Sequence, residues 1–246
     1  MADKDLTGQV AIVTGGAQRL GHAMVTALAE AGLRVCIHYN RSAESAHQVC
    51  RQLQESGRQA MAVRCDFSDP GADAAGVVDA AYRAWGRVDV LVNSASIFEA
   101  ASLMDTTVEQ FDRHVAVNLR APWRLAQAFV ARLDPQAQGQ IVNILDWRAL
   151  RPVPGHFSYT LTKAALWAMT RLLAQELAPR VRVNAIAPGA ILPPADSSPD
   201  YLEQLATRIP LARAGCPDDV TEALLYLLRS DFVTGIVLPV TGGQEL

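Results

Sequence analysis

Short apolar runs alternate with longer stretches of helical period along almost the whole chain. The runs 9–14, 34–38, 60–65, 88–93, 140–145, 181–187 and 236–240 are continuous, and most are rich in β-branched residues. A strand with one wet face would alternate apolar and polar positions, so these runs predict seven strands buried on both faces.

Between them lie the helical patterns. One runs from Gly21 to Ala31 and stops at Gly32. A second opens at Ser42, with Glu44 and Ser45 in its first turn, and stops at Gly57. A third starts at Asp69-Pro70 and ends at Gly86, with proline at a first helical position. A long pattern, 108–133, is expected to bend near Pro122. Helices over 164–177, 200–207 and 218–228 complete the set. The segment 188–210 holds five prolines and reads as a loop around its one short helix.

Strictly alternating strands and helices give an α/β chain: a parallel sheet with helices on both faces. With no repeat or linker in sight, residues 1–246 are expected to form one domain. Ligands in such a sheet sit beyond the carboxyl ends of the strands. The polar and glycine-rich stretches fall at those ends: 14–21, 38–42, Cys65-Asp66, 93–98, Asp146 and Pro188-Gly189.

Composition narrows the class. Half of the 246 residues are hydrophobic, 19% are charged and the net charge is -3. That balance suits a core-forming protein and carries no footprint for nucleic acid. No apolar run is long enough for a bilayer, and the N-terminus lacks the layout of a signal peptide. Cys36, Cys50, Cys65 and Cys216 are scattered, without metal spacing or a paired framework, so a reducing cytoplasm is the expected setting.

Tyr159 and Lys163 stand four residues apart, on one helical face. A lysine beside a phenol is expected to lower the tyrosine pKa and ready it for proton transfer. Asp146 closes the preceding strand and can face the same cleft. Gly15, Arg19, Leu20 and Gly21 frame the first strand-to-helix turn, where glycine lets a pyrophosphate approach the helix N-terminus. The second strand ends in His38-Tyr39-Asn40-Arg41-Ser42, with no carboxylate to hold a ribose 2′-hydroxyl. Arg41 and Ser42 instead suit a 2′-phosphate, and Arg19 is expected to project toward it, so NADP is expected over NAD. Asp66, followed by Phe67, fits the adenine amine; its plainer use is as a cap for the segment after it.

Together these residues resemble the short-chain dehydrogenase/reductase family, over essentially the whole chain: Thr14-Gly15…Gly21, Asn93-Ser94-Ala95, Asn118, Tyr159-x-x-x-Lys163, Pro188-Gly189 and Thr241-Gly242-Gly243. The resemblance implies a single Rossmann-type domain, a nicotinamide cofactor touching Asn93, Ala95, Pro188 and Gly189, and hydride transfer. It also implies that Asn118 joins the catalytic group by ordering water near Lys163. A homotetramer is implied too, through helices whose apolar residues include Leu166, Trp167, Leu173 and the stretch 224–228.

Four positions, in three stretches, depart from the family pattern. Arg19 replaces a glycine, Ser94 and Ser96 replace an asparagine and a glycine, and Asp146 replaces a serine. Together with Phe98 these departures look like the pteridine reductases, in which the residue matching Phe98 stacks on a pterin. There the residues matching Arg19 and Ser96 touch substrate or cofactor phosphate. Charge supports that expectation. A carboxylate 4 Å from a developing oxyanion costs about 4 kcal/mol at an effective dielectric of 20. Reduction of a ring C=N instead needs a proton at nitrogen, which an Asp146–Tyr159 pair would help supply. The rival expectations are a carbonyl or 3-oxoacyl reductase and a non-catalytic NADP-binding regulator.

Overall fold

The apolar runs do become strands. The computed structural model describes residues 5–194, 197–198 and 200–246. Its strands are β1 (Val10–Val13), β2 (Arg34–Tyr39), β3 (Ala60–Arg64), β4 (Val90–Asn93), β5 (Gly139–Ile144), β6 (Val181–Pro188) and β7 (Val237–Val240). They form one sheet in the order β3-β2-β1-β4-β5-β6-β7, with every pair parallel. The order reverses between β1 and β4, and a crevice opens there at the strands' carboxyl ends.

The helices are α1 (Arg19–Glu30), α2 (Ala43–Glu55), α3 (Ala75–Trp85), α4 (Val108–Val115), α5 (Ala121–Arg132), α6 (Phe157–Leu177), α7 (Tyr201–Ala206) and α8 (Pro217–Arg229). On one sheet face, Met24 and Leu28 of α1, Val49 of α2 and Leu224 of α8 pack against Val13, Val35 and Val92. On the other, Val77 of α3, Leu125 and Phe129 of α5 and Ala174 of α6 pack against Ile12, Leu91 and Ile141. This is the doubly wound, Rossmann-type arrangement.

Three elements differ from expectation. Helix α3 begins at Ala75, not at Asp69-Pro70, because the Asp69 carboxylate takes the Gly71 N–H at 2.8 Å and closes a separate turn. The long helix is interrupted by a π-helical turn, Ala116–Arg120, while Pro122 sits harmlessly in the first turn of α5. Helix α6 starts at Phe157, seven residues before the periodic pattern, and so carries Tyr159 in its first turn. Several of the apolar residues expected at oligomer contacts are buried. Leu166, Leu224, Leu227 and Leu228 are core residues, whereas Trp123, Leu161, Leu172, Tyr226 and Phe232 are exposed. Within the proline-rich loop, Ala195, Asp196 and Pro199 lie outside the described residues, as do residues 1–4.

Candidate active site

A cavity of about 650 Å³ occupies the crevice beyond β1 and β4. Its walls include Gly15, Arg19, Leu20, Gly21, His38, Tyr39, Asn40, Arg41, Ser42, Asp66, Phe67, Ala95, Ser96, Asp146, Tyr159, Lys163, Pro188 and Gly189. Most of the residues singled out in the sequence thus meet in one space.

The first turn is built on close approach. Gly15 has φ +65°, and a Cβ there would stand 2.9 Å from the Ala95 Cα. Arg19 also holds a positive φ, +54°, at the position where the family keeps glycine. Gln18 precedes α1 without capping it through its side chain, which leaves main-chain donors facing the cavity. Thr14 braces the turn from below. Its Oγ accepts the N–H groups of Ser94 and Ala95 at 2.9 and 3.0 Å.

His38 is a strut between strand ends. Its Nδ1 accepts the Gly15 N–H at 3.1 Å, so Nε2 carries the proton and donates to the Cys65 carbonyl at 2.9 Å. Its ring stacks on Phe67, centroids 4.1 Å apart. Burial pulls its pKa down to about 4. Beyond it, Asn40 has a buried Oδ1 with no partner, and Arg41 is exposed. Asp66 lines the cavity, as its expected contact with adenine requires, and its Oδ1 also takes the plainer capping use, accepting Ser68 N and Oγ at 2.9 and 2.6 Å. Those bonds hold its carboxyl below the usual range.

Arg19 does not reach toward Arg41. Its Nη2 donates to the Pro193 carbonyl at 2.7 Å, in the loop after β6. The link to the end of β2 is Gln18, bonded to Ser42 and Ser45 at 3.1 Å each. Gln18 carried no signal beyond its place in the glycine-rich turn.

At the opposite end, the Tyr159 hydroxyl donates to Asp146 Oδ2 at 3.0 Å. Asp146 Oδ1 accepts from Arg148 N at 2.8 Å and Nη1 at 3.3 Å. Lys163 Nζ donates to the Ile144 carbonyl at 2.7 Å and lies 5.6 Å from the Tyr159 ring centroid. The expected softening of the phenol is absent. Burial, then the charge and hydrogen bond of Asp146, push the Tyr159 pKa well above its usual range. Burial meanwhile brings the Lys163 ammonium down to about 8, against the attraction of Asp146. Tyr159 is therefore a protonated donor, aimed by a carboxylate.

Three expected residues do not line the cavity. Asn93 is buried and donates to Asn143 Oδ1 at 2.8 Å, because its side chain turns into the sheet. Asn118 spends its whole amide on Ile97 N and O, Ser96 Oγ and Thr162 Oγ1, at 2.9 to 3.2 Å. Its side chain has no bond left for a water. Phe98 sits at the rim, 43% exposed, stacked on His156 at 4.0 Å and edge-on to Tyr159 at 4.7 Å.

A nicotinamide dinucleotide fits this set. Glycines remove the bulk at the turn, free N–H groups face a pyrophosphate, and Asn40, Arg41 and Ser42 stand where a ribose phosphate would lie.

Several known proteins are similar to this chain. The putative ketoacyl reductase 2 of the granaticin polyketide synthase of Streptomyces violaceoruber is 36% identical, with 96% of each chain covered. Pteridine reductase 1 of Leishmania tarentolae is 32% identical, over 98% of this chain and 97% of that one. The structure of FolM alternative dihydrofolate reductase 1 from Brucella canis, complexed with NADP, superposes with a TM-score of 0.94. It shares 38% identity, covering 98% of this chain and 95% of that one. Residues 15–245 match the family described as enoyl-(acyl carrier protein) reductase. On this fold, this cavity and these matches, the chain belongs to the short-chain dehydrogenase/reductase family.

Proposed function

We propose that this chain is an NADPH-dependent pteridine reductase, taking a dihydropterin to its tetrahydro form. The observation that carries the reading is the 3.0 Å bond from the Tyr159 hydroxyl to Asp146 Oδ2. A serine in place of Asp146 would donate to a developing alkoxide. The carboxylate found there opposes one, but it accepts the hydroxyl of a proton donor.

Gly15, Gly21, Asn40, Arg41 and Ser42 would hold the phosphates of NADPH, and Pro188 and Gly189 would border its nicotinamide end. NADPH, when bound, supplies hydride. Tyr159 holds the proton at its hydroxyl, Asp146 aims that hydroxyl, and Lys163 keeps a cation behind the ring. With hydride supplied to carbon by the bound cofactor, Tyr159 would deliver its proton to the nitrogen of a ring C=N. Phe98 and Arg19 flank the substrate end.

A carbonyl or 3-oxoacyl reductase is the second reading, favoured by the ketoacyl reductase relative. The exposed apolar residues Trp123, Leu161 and Leu172 on one side and Tyr226 and Phe232 on another suit two interfaces of a homotetramer. Among the described residues, no helix is long and apolar enough to cross a membrane.

The test is NADPH oxidation with dihydrobiopterin, dihydromonapterin and an acetoacetyl thioester, each in turn. Turnover of a dihydropterin well above the thioester supports the reading. Turnover of the thioester alone replaces it with the second.

A further inference from the structure

The guanidinium of Arg148 stands at the join between the acid pair and the aromatic rim. It lies 4.8 Å from the Trp147 ring centroid and 5.4 Å from that of Phe98. Its side chain is 19% exposed, and its Nε is buried without a partner. Through main-chain N and Nη1 it takes Oδ1 of Asp146, leaving Oδ2 to the Tyr159 hydroxyl. Asp146 caps the short 3-10 turn Trp147–Ala149, so this carboxylate is pinned by its own turn.

A serine could cap that turn equally well. Capping alone therefore leaves the second contact, from Nη1, without a structural purpose. Charge supplies one. Once the Tyr159 hydroxyl has given up its proton, the pair carries two negative charges. Lys163 offers one cation, drawn off toward the Ile144 carbonyl. The described charged groups around the pair are Lys163 on α6, His156 just before α6 and Arg148. His156 is occupied by the Glu99 carbonyl, at 3.2 Å from its Nδ1, and by the Phe98 ring.

We propose that Arg148 is a positioning residue for proton delivery: it fixes Asp146 so that Oδ2 faces Tyr159, and it supplies the second cation the pair needs. This extends the pteridine reductase reading and rests on it for the role of Tyr159. The aromatic slot ties the two parts together. Trp147 and Phe98 hold the guanidinium in place, and Phe98 in turn touches Tyr159 edge-on. Substrate arriving at Phe98 would thus be sensed by the side chain that holds the acid pair.

The experiment compares wild type with Arg148→Met and Arg148→Lys. Because Arg148 does not border the cavity, NADPH affinity should stay within about twofold in both variants. Arg148→Met should lower kcat about tenfold or more, leave KM for the dihydropterin within about twofold, and move the acid limb of the kcat–pH profile up by about one unit. Arg148→Lys keeps charge but loses the fork, so it should restore the acid limb and only part of kcat. An unmoved acid limb with unchanged kcat in Arg148→Met overturns the proposal. So does a loss confined to KM or to NADPH binding. If Arg148→Met does not fold, Arg148→Lys with a wild-type kcat is the overturning result. If wild type reduces no dihydropterin, the pteridine reading fails by itself, and the Arg148 comparison is read on the thioester instead.

Discussion

Gly21 lies so close to Gly15 that a Cβ added to it would stand 2.1 Å from the Gly15 carbonyl oxygen. That oxygen is main chain and cannot step aside. Gly21→Ala should therefore push the first turn away from α1, costing about 1–3 kcal/mol of stability. NADPH affinity should fall with it. Isothermal titration and urea unfolding check both; a variant with wild-type affinity and midpoint would contradict the packing.

His38 sets a pH limit on the fold. Its pKa is drawn down from an ordinary 6.5 to about 4 by burial. Between those values the unfolded chain binds a proton that the folded one refuses, so stability rises with pH across the window. Below about pH 6.5 stability should decline, on the order of 3 kcal/mol in total by pH 4. His38→Gln keeps an acceptor without a proton to take up, and should flatten this part of the urea-midpoint profile. An equally steep profile in the variant would assign the loss elsewhere.

Asp146→Ser should lower dihydropterin turnover at least about tenfold while leaving NADPH affinity unchanged. The carboxylate touches the Tyr159 hydroxyl and Arg148. Unchanged turnover removes the carboxylate from the reaction. A gain in thioester reduction would strengthen the argument from oxyanion charge.

Lys163 holds its charge at the expense of the fold. Its ammonium is buried and drawn down to about 8, so at pH 7 it is protonated in both states, and desolvated in one. Lys163→Met should remove that penalty, less about 1 kcal/mol for the lost bond to the Ile144 carbonyl. At pH 7, Tm should rise by roughly 2–4 °C for each kcal/mol gained, with turnover abolished. The sign reverses the usual expectation for deleting a lysine. As pH climbs from 8 toward 10.5, wild type recovers stability and the gap closes. Calorimetry at both ends of that range decides it, and a lower Tm in the variant at pH 7 refutes it.

Arg41→Ala should reduce the preference for NADPH over NADH about tenfold or more, the worth of one charge-assisted bond. Steady-state kcat/KM with each cofactor measures it. An unchanged ratio would pass the role to Asn40 and Ser42.

The fold was legible because continuous β-branched runs have few other uses. Register and order were not, since nothing in 9–14 says which neighbours it takes. Element starts failed where a local carboxylate outbid the helix, as Asp69 does with Gly71 N. In the site, spacing found Tyr159 and Lys163 but misjudged their electrostatics. The sequence shows a lysine near a phenol; it does not show that both are buried, or that the hydroxyl is spoken for by Asp146. The resemblance implies roles for Phe98 and Asn118 but not their placement: Phe98 is a rim residue and Asn118 a brace between Ile97 and Thr162. Arg148 carries no sequence signal, because its contact with Asp146 is made inside a short 3-10 turn that no run of periodic positions marks.

The π-helical turn at Ala116–Arg120 takes in one residue more than an α-helix would. Each residue of an α-helix advances the azimuth by about 100°. Shortening this segment by a single residue would restore an even spiral. Because the wider turn absorbs the extra residue, α5 would keep its bearing, with Leu125 and Phe129 on the sheet and Trp123 outside. The chain between β4 and β5 thus tolerates a one-residue change in length at this turn, where a deletion inside α5 itself would rotate the residues beyond it.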